Sequence, residues 1–163
     1  MSATLFLEYH VQTIAYVVHA YSIAASLFFL AWVHYYRREP EACGRLCREC
    51  LDISNEQGFG LLSAWARVLD GSSLFETGKP NEGIAEIREG IGVVNANRIG
   101  LCLDVFKGIL AECKGKQGNL EEAISLLDEA AADSDLGASS VLCKRPSFSF
   151  HSVPDRRTDL SGG

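Results

Sequence analysis

The feature that most constrains this chain is a unit written three times. Arg38-Glu39-Pro40-Glu41-Ala42, Lys79-Pro80-Asn81-Glu82-Gly83 and Asn119-Leu120-Glu121-Glu122-Ala123 align on Ala42, Gly83 and Ala123, which lie 41 and 40 positions apart. Four positions after each anchor stands an apolar residue (Leu46, Ile87, Leu127), and eight positions after it a small or apolar one (Cys50, Ile91, Ala131). That spacing draws one buried stripe along a helix. Ahead of each turn runs a second, more apolar segment of helical character, over roughly residues 20–37, 59–77 and 98–116. Each unit therefore reads as a helical hairpin. Pro40 and Pro80 fall where a first helical turn tolerates a missing N–H, and Asn119 with Glu122 three residues on has the pattern of a capping box. Gly78 and Gly118 stand where helices end. Residues 55–58 and 95–98 are expected as the longer turns between hairpins, and no stretch alternates in the manner of a strand.

A lone hairpin cannot bury two apolar faces. Three of them are expected to stack into an all-α, short right-handed α-solenoid whose first helices line a concave side. Small residues inside those first helices, Ala24 and Ala25, then Gly71-Ser72-Ser73, then Gly108 and Ala111, let helix backbones approach closely. Mid-helix glycine costs about 1 kcal/mol against alanine, so close packing is the expected compensation. The expected divisions are an apolar N-terminal helix over 1–18, the repeat domain over 19–132 and a disordered Ser/Pro/Gly-rich tail over 133–163. Cut at its last repeat, such a stack leaves an uncapped apolar end, which predicts either homodimerisation through the C-terminal repeat or marginal stability.

With the repeats in place, the segments His19–Ala24, Phe29–His34, Asn55–Phe59, Ala64-Trp65, Gly83–Gly90 and Leu110-Ala111-Glu112 resemble the tetratricopeptide-like C-terminal region of bacterial adenylate/guanylate cyclase–ATPase signalling proteins. The resemblance covers about residues 19–132 and implies three tetratricopeptide-like hairpins, with helices longer than in a repeat of about 34 residues. It implies a signalling context linked to cyclic-nucleotide synthesis or an ATPase switch. The cyclase and P-loop ATPase segments of that family are absent from this sequence, so neither nucleotide chemistry carries over. The sequence after Ala132 does not continue as a further repeat, and the chain is expected to be a fragment or a degenerate copy.

Few residues point to chemistry. Cys43, Cys47 and Cys50 have the C-x3-C-x2-C spacing of an iron–sulfur ligand set, yet they fall at i, i+4 and i+7 of one helix beside Leu46, where a thiol acts as a small hydrophobe. Packing is favoured. Cys102, Cys113 and Cys143 are scattered, and His10, His19, His34 and His151 form no metal-binding or general-base pair. Glu82, Glu86, Glu89, Glu121, Glu122, Asp128 and Glu129 fall on the polar side of the second helices, as a solvated face. No catalytic, cofactor-binding or metal-binding residue is assigned, and the expectation is a non-enzymatic scaffold with no cofactor. The net charge of −6 and the absence of a basic cluster argue against nucleic acid. The partner expected along the concave side is a protein or peptide of unknown identity. Trp32, Trp65, Phe28, Phe29 and Phe59 are expected to fill the core rather than to line a ligand groove.

One segment supports a competing reading. From Tyr9 to Tyr36, 28 residues pass without Asp, Glu, Lys or Arg and end in Trp32, Tyr35, Tyr36 and the basic pair Arg37-Arg38. Length, aromatic residues and flanking charge fit a single membrane span within 9–36. Gln12, Thr13, His19, Ser22, Ser26 and His34 weigh against it, and a break near His19-Ala20 would divide the stretch into two buried helices. Met-Ser-Ala-Thr supplies no basic start for a signal peptide, and the six cysteines are read as reduced thiols. The cytoplasm is the expected location, with the single span as the alternative.

Overall fold

The computed structural model describes residues 3–97 and 102–135, with side chains at 14, 16–97 and 102–132. Among the described residues six helices follow one another: α1 (Ala3–Tyr36), α2 (Pro40–Gln57), α3 (Gly60–Glu76), α4 (Pro80–Ala96), α5 (Leu103–Lys116) and α6 (Leu120–Asp135). They pair as α1/α2, α3/α4 and α5/α6, and each hairpin packs its first helix on the second helix of the hairpin before. The architecture is an all-α solenoid of three hairpins.

The turns follow the local chemistry. Pro40 and Pro80 open α2 and α4. At α6, the Glu122 amide donates to Asn119 Oδ1 at 3.4 Å, which caps one backbone donor of the first turn, and Asn119 Nδ2 donates to Glu122 Oε2 at 2.7 Å, a bond between the two side chains. The second residue after each first helix turns left-handed: Gly78 (φ 94°), Gly118 (φ 84°) and, in the first hairpin, Arg38 (φ 59°). Only the first hairpin places a side chain at this strained position.

Small residues set the tightest contact. Gly71 and Gly83 face each other across α3/α4 so closely that a Cβ on Gly71 would stand 2.6 Å from the Gly83 carbonyl oxygen, and one on Gly90 would stand 2.6 Å from that of Ala64. The core runs along all three hairpins through Ala24, Phe28 and Ala31 of α1, Cys43, Leu46, Cys47 and Cys50 of α2, Val68 and Leu69 of α3, Ile87 and Val94 of α4, and Phe106 and Ile109 of α5.

Four expectations need correction. First, α1 runs unbroken through His19-Ala20, so the expected helix over 1–18 and the first repeat helix are one element. Neither residue breaks a helix, and the nearest proline is Pro40. Second, α2 and α4 extend to Gln57 and Ala96, into the segments 55–58 and 95–98 expected as turns; Gly58 (φ 74°) alone makes the first reversal. Third, α5 starts at Leu103, not 98, and residues 98–101 lie outside the described residues. Fourth, α6 continues to Asp135, so the expected tail boundary at 133 falls inside a helix; the remainder of that tail lies outside the described residues.

Candidate functional site: the face shared by the first helices

The first helices α1, α3 and α5 share one face, and their side chains meet across it. Phe28 and Phe106 are fully buried at its base. Phe28 lies against Trp32 (ring centroids 5.2 Å apart) and Trp65 (5.5 Å), and Trp32 reaches over α3 to Phe106 at 5.9 Å. The aromatic residues thus fill the face instead of leaving a groove, as the sequence suggests for Phe28, Trp32 and Trp65. Phe59 also packs, edge-on against Tyr21. Phe29 touches Phe28 edge-on but does not enter the core, since its ring is half-exposed on the outward side of α1.

Above the aromatic cluster, at the turn end of the same helices, lies an ionic network that joins all three hairpins. Arg38 Nη1 donates to Glu112 Oε1 at 2.7 Å, Tyr35 Oη donates to Glu112 Oε2 at 3.5 Å, and Lys116 pairs with Glu112 at 3.1 Å and with Glu76. The Arg38 guanidinium also lies over the Tyr35 ring. Burial works to raise Glu112, but the hydrogen bonds from Lys116 and Arg38 outweigh it and hold the carboxyl below its usual range. Burial and the Glu112 charge push the Tyr35 phenol far above its ordinary value, so it stays a neutral donor. Sequence reasoning did not find this network. Its trace is the repeat spacing itself: Glu76 and Lys116 stand 40 residues apart, at matching positions of successive repeats, with opposite charge.

The network carries a pH prediction. Glu112 has a lower value folded than unfolded, so its contribution to stability is present above the unfolded value near 4.5 and fades as pH falls through the folded one. Glu112→Gln is expected to lose about 1.5–3 kcal/mol at neutral pH, the scale of a hydrogen bond to a charged group. Its unfolding midpoint in urea should then fall less steeply than that of the parent as pH drops below the unfolded value near 4.5.

Beside the network a recess of about 140 Å³ is lined by Tyr35, Arg38, Glu39, Pro40, Cys43, Ser72, Ser73 and Glu76. It accommodates one side chain and falls well short of the roughly 300–1,000 Å³ of a small-molecule site.

The cysteines sit elsewhere in the chemistry. Cys43, Cys47 and Cys50 are at most 1% exposed on the core face of α2, which is the packing role expected of them. A hydrogen bond with Cys43, together with burial, pushes the Cys47 thiol up; burial raises Cys50, and burial with the nearby carboxylates pushes Cys113 up to about 12. Cys47, Cys50 and Cys113 stay protonated at neutral pH, whereas hydrogen bonds with Cys47 and Ser73 lower the Cys43 thiol from its ordinary value. Among the described residues, no group of three or more His, Cys, Asp or Glu is placed to hold a metal ion. Several carboxylates expected on a solvated face are in fact ionic staples between helices: Glu86 and Glu89 with Arg67, Glu122 with Arg88 and Lys114, and Glu129 with Lys107.

Compared with solved structures, the chain is similar to the crystal structure of the TPR domain of Arabidopsis FLU, with a TM-score of 0.61 over 72% of this chain and 98% of that one, at 19% sequence identity. The fold is a tetratricopeptide-repeat fold. No family model and no curated protein matches the sequence. In a tetratricopeptide-repeat fold the helix faces that end up side by side are set by the stacking of hairpins, which here brings Trp32, Tyr35 and Arg38 of α1 together with Phe106, Glu112 and Lys116 of α5.

Proposed function

We propose that this chain is a non-enzymatic interaction module that binds a protein or peptide partner on the face shared by α1, α3 and α5. The observation that carries the reading is the bracing of that face by side chains from all three hairpins: Trp32 against Phe106, Arg38 and Tyr35 on Glu112, Lys116 on Glu76. A surface fixed before binding loses little side-chain entropy when a partner arrives. The ionic network beside the recess at Tyr35, Pro40 and Ser73 suits a polar segment of a partner that exchanges hydrogen bonds with it and seats one side chain. The thiol-rich core fits the reducing cytoplasm. The order of the segments quoted from His19 to Glu112 further supports a signalling context of the kind found in cyclase–ATPase proteins. Self-association through the C-terminal repeat has Leu120 and Ile124, both exposed on α6, to support it.

A photo-crosslinking amino acid at Gln117, exposed at the rim of this face, tests the reading against one at Asn95, exposed at the opposite end of the second hairpin. Crosslinks at Gln117 that excess unlabelled domain competes away, and that Lys116→Glu abolishes, are the expected result. Crosslinks from Asn95 alone would overturn it.

A further inference from the structure

The recess beside the ionic network holds polar groups that the fold leaves unused. Ser72 lines it, is only 6% exposed, and its hydroxyl forms no hydrogen bond among the described residues. Buried hydroxyls normally have a partner, so this one is open to a bound group. Ser73 Oγ commits its proton to the Leu69 carbonyl at 3.0 Å, and Tyr35 Oη donates to Glu112 Oε2 at 3.5 Å; both oxygens keep lone pairs with which to accept. Lys116 engages Glu76 at Oε1. Pro40 and Tyr35 add apolar surface to the lining.

We infer that this recess seats a lysine side chain of the partner, with its ammonium held by the Ser72 and Ser73 hydroxyls and the Glu76 carboxylate. The inference rests on the reading of the shared face as a docking surface and names the side chain that surface receives. Ser72 and Ser73 stand four and three residues before Glu76 on α3, the spacings at which helix side chains are neighbours, so one ammonium can reach all three. An ammonium brings three donors and no acceptor. The recess answers with accepting oxygens on Tyr35, Ser72, Ser73 and Glu76 against the single uncommitted hydroxyl proton of Ser72, which rotates to suit.

Other side chains fit less well. A carboxylate would meet one hydroxyl donor and two acidic residues of the lining, Glu39 and Glu76, while the basic one, Arg38, is turned to Glu112 at 2.7 Å. An apolar side chain would seal the Ser72 hydroxyl from water without giving it a partner. A guanidinium needs paired oxygens set for its planar fork, whereas hydroxyls from one helix turn suit the compact ammonium on its flexible stem. The methylenes of that stem lie along Tyr35 and Pro40, as lysine stems do on apolar surface. The net charge of −6 favours the approach of a cationic segment.

Panning a displayed library of random dodecapeptides on the full chain tests this. Peptides that shift the amide resonances of Tyr35, Ser73 and Glu76 are kept as ligands of the face. They are expected to share a lysine, and replacing it by norleucine, which keeps the stem and removes the ammonium, should weaken binding about tenfold or more. In the Ser72→Ala and Glu76→Gln chains that replacement should cost at least about threefold less than in the parent. Ser72→Ala deletes a hydroxyl that the fold does not use, so its urea midpoint should match the parent's, and circular dichroism checks the fold of Glu76→Gln. Equal losses in the parent and both variants would place the ammonium elsewhere and overturn the assignment. Face-binding peptides that share no lysine, or that tolerate norleucine, would overturn it while leaving the docking face intact. A library that yields no peptide shifting those resonances would overturn both.

Discussion

Phe28→Ala is expected to cost about 3–5 kcal/mol, the range for removing a fully buried phenylalanine. The side chain is 1% exposed and touches Trp32 on its own helix and Trp65 on α3, so its loss opens a cavity where the first hairpin meets the second. The hole cannot collapse readily, because Trp32 is held on its other side by Phe106. A loss of this size is comparable with the whole stability of many domains, about 5–15 kcal/mol. Urea unfolding followed by circular dichroism should place the variant's midpoint far below that of the parent. Phe29→Ala, one residue on and half-exposed, should leave it nearly unchanged.

The second large effect is steric. Gly83→Ala adds a Cβ that meets the Gly71 carbonyl and lies 2.7 Å from the Phe75 amide nitrogen, both backbone atoms that no rotamer change can move. The substitution gains about 1 kcal/mol of helix propensity. Against that stands overpacking, typically about 1–3 kcal/mol and more where backbone must shift. The clash wins, and a net loss of about 2 kcal/mol is expected, with α3 and α4 forced apart. Gly92→Ala is the internal control. Gly92 lies on the same helix with open space where its Cβ would stand, so the propensity gain is unopposed and that variant should be more stable than the parent by about 0.5–1 kcal/mol. If both alanines stabilise, the close approach of α3 and α4 is wrong.

These two sites also mark how far the sequence could be read. The stripe at Ala42, Gly83 and Ala123 locates three second helices, and the stops at Gly78 and Gly118 locate two hairpin turns, because capping and left-handed backbone are local chemistry written in single residues. The cysteine triplet could be assigned to the core for the same reason, from helical spacing beside Leu46. α1 was less legible. Periodicity shows which face is buried only when the opposite face is polar, and α1 carries Phe29, Leu30 and Val33 on its outward side. Its burial pattern therefore could not be separated from that of a span. The Arg38–Glu112–Lys116–Glu76 network was invisible for another reason: it joins residues from three hairpins, and only the stacking geometry brings them together. Arg38 carries a hint, since it holds a left-handed position that glycine fills in the other two hairpins, and strain retained at one repeat points to work done by that side chain.

The central claim is that three hairpins stack so that α1 and α5 meet over α3 and form one braced face. A double-mutant cycle between Trp32→Leu and Phe106→Leu measures that contact directly. The account predicts a coupling of about 0.5–1.5 kcal/mol in urea unfolding, the worth of an aromatic pair beyond its buried area. Additive losses with no coupling would mean that the first and third hairpins do not touch, and would contradict the face on which the proposed function rests.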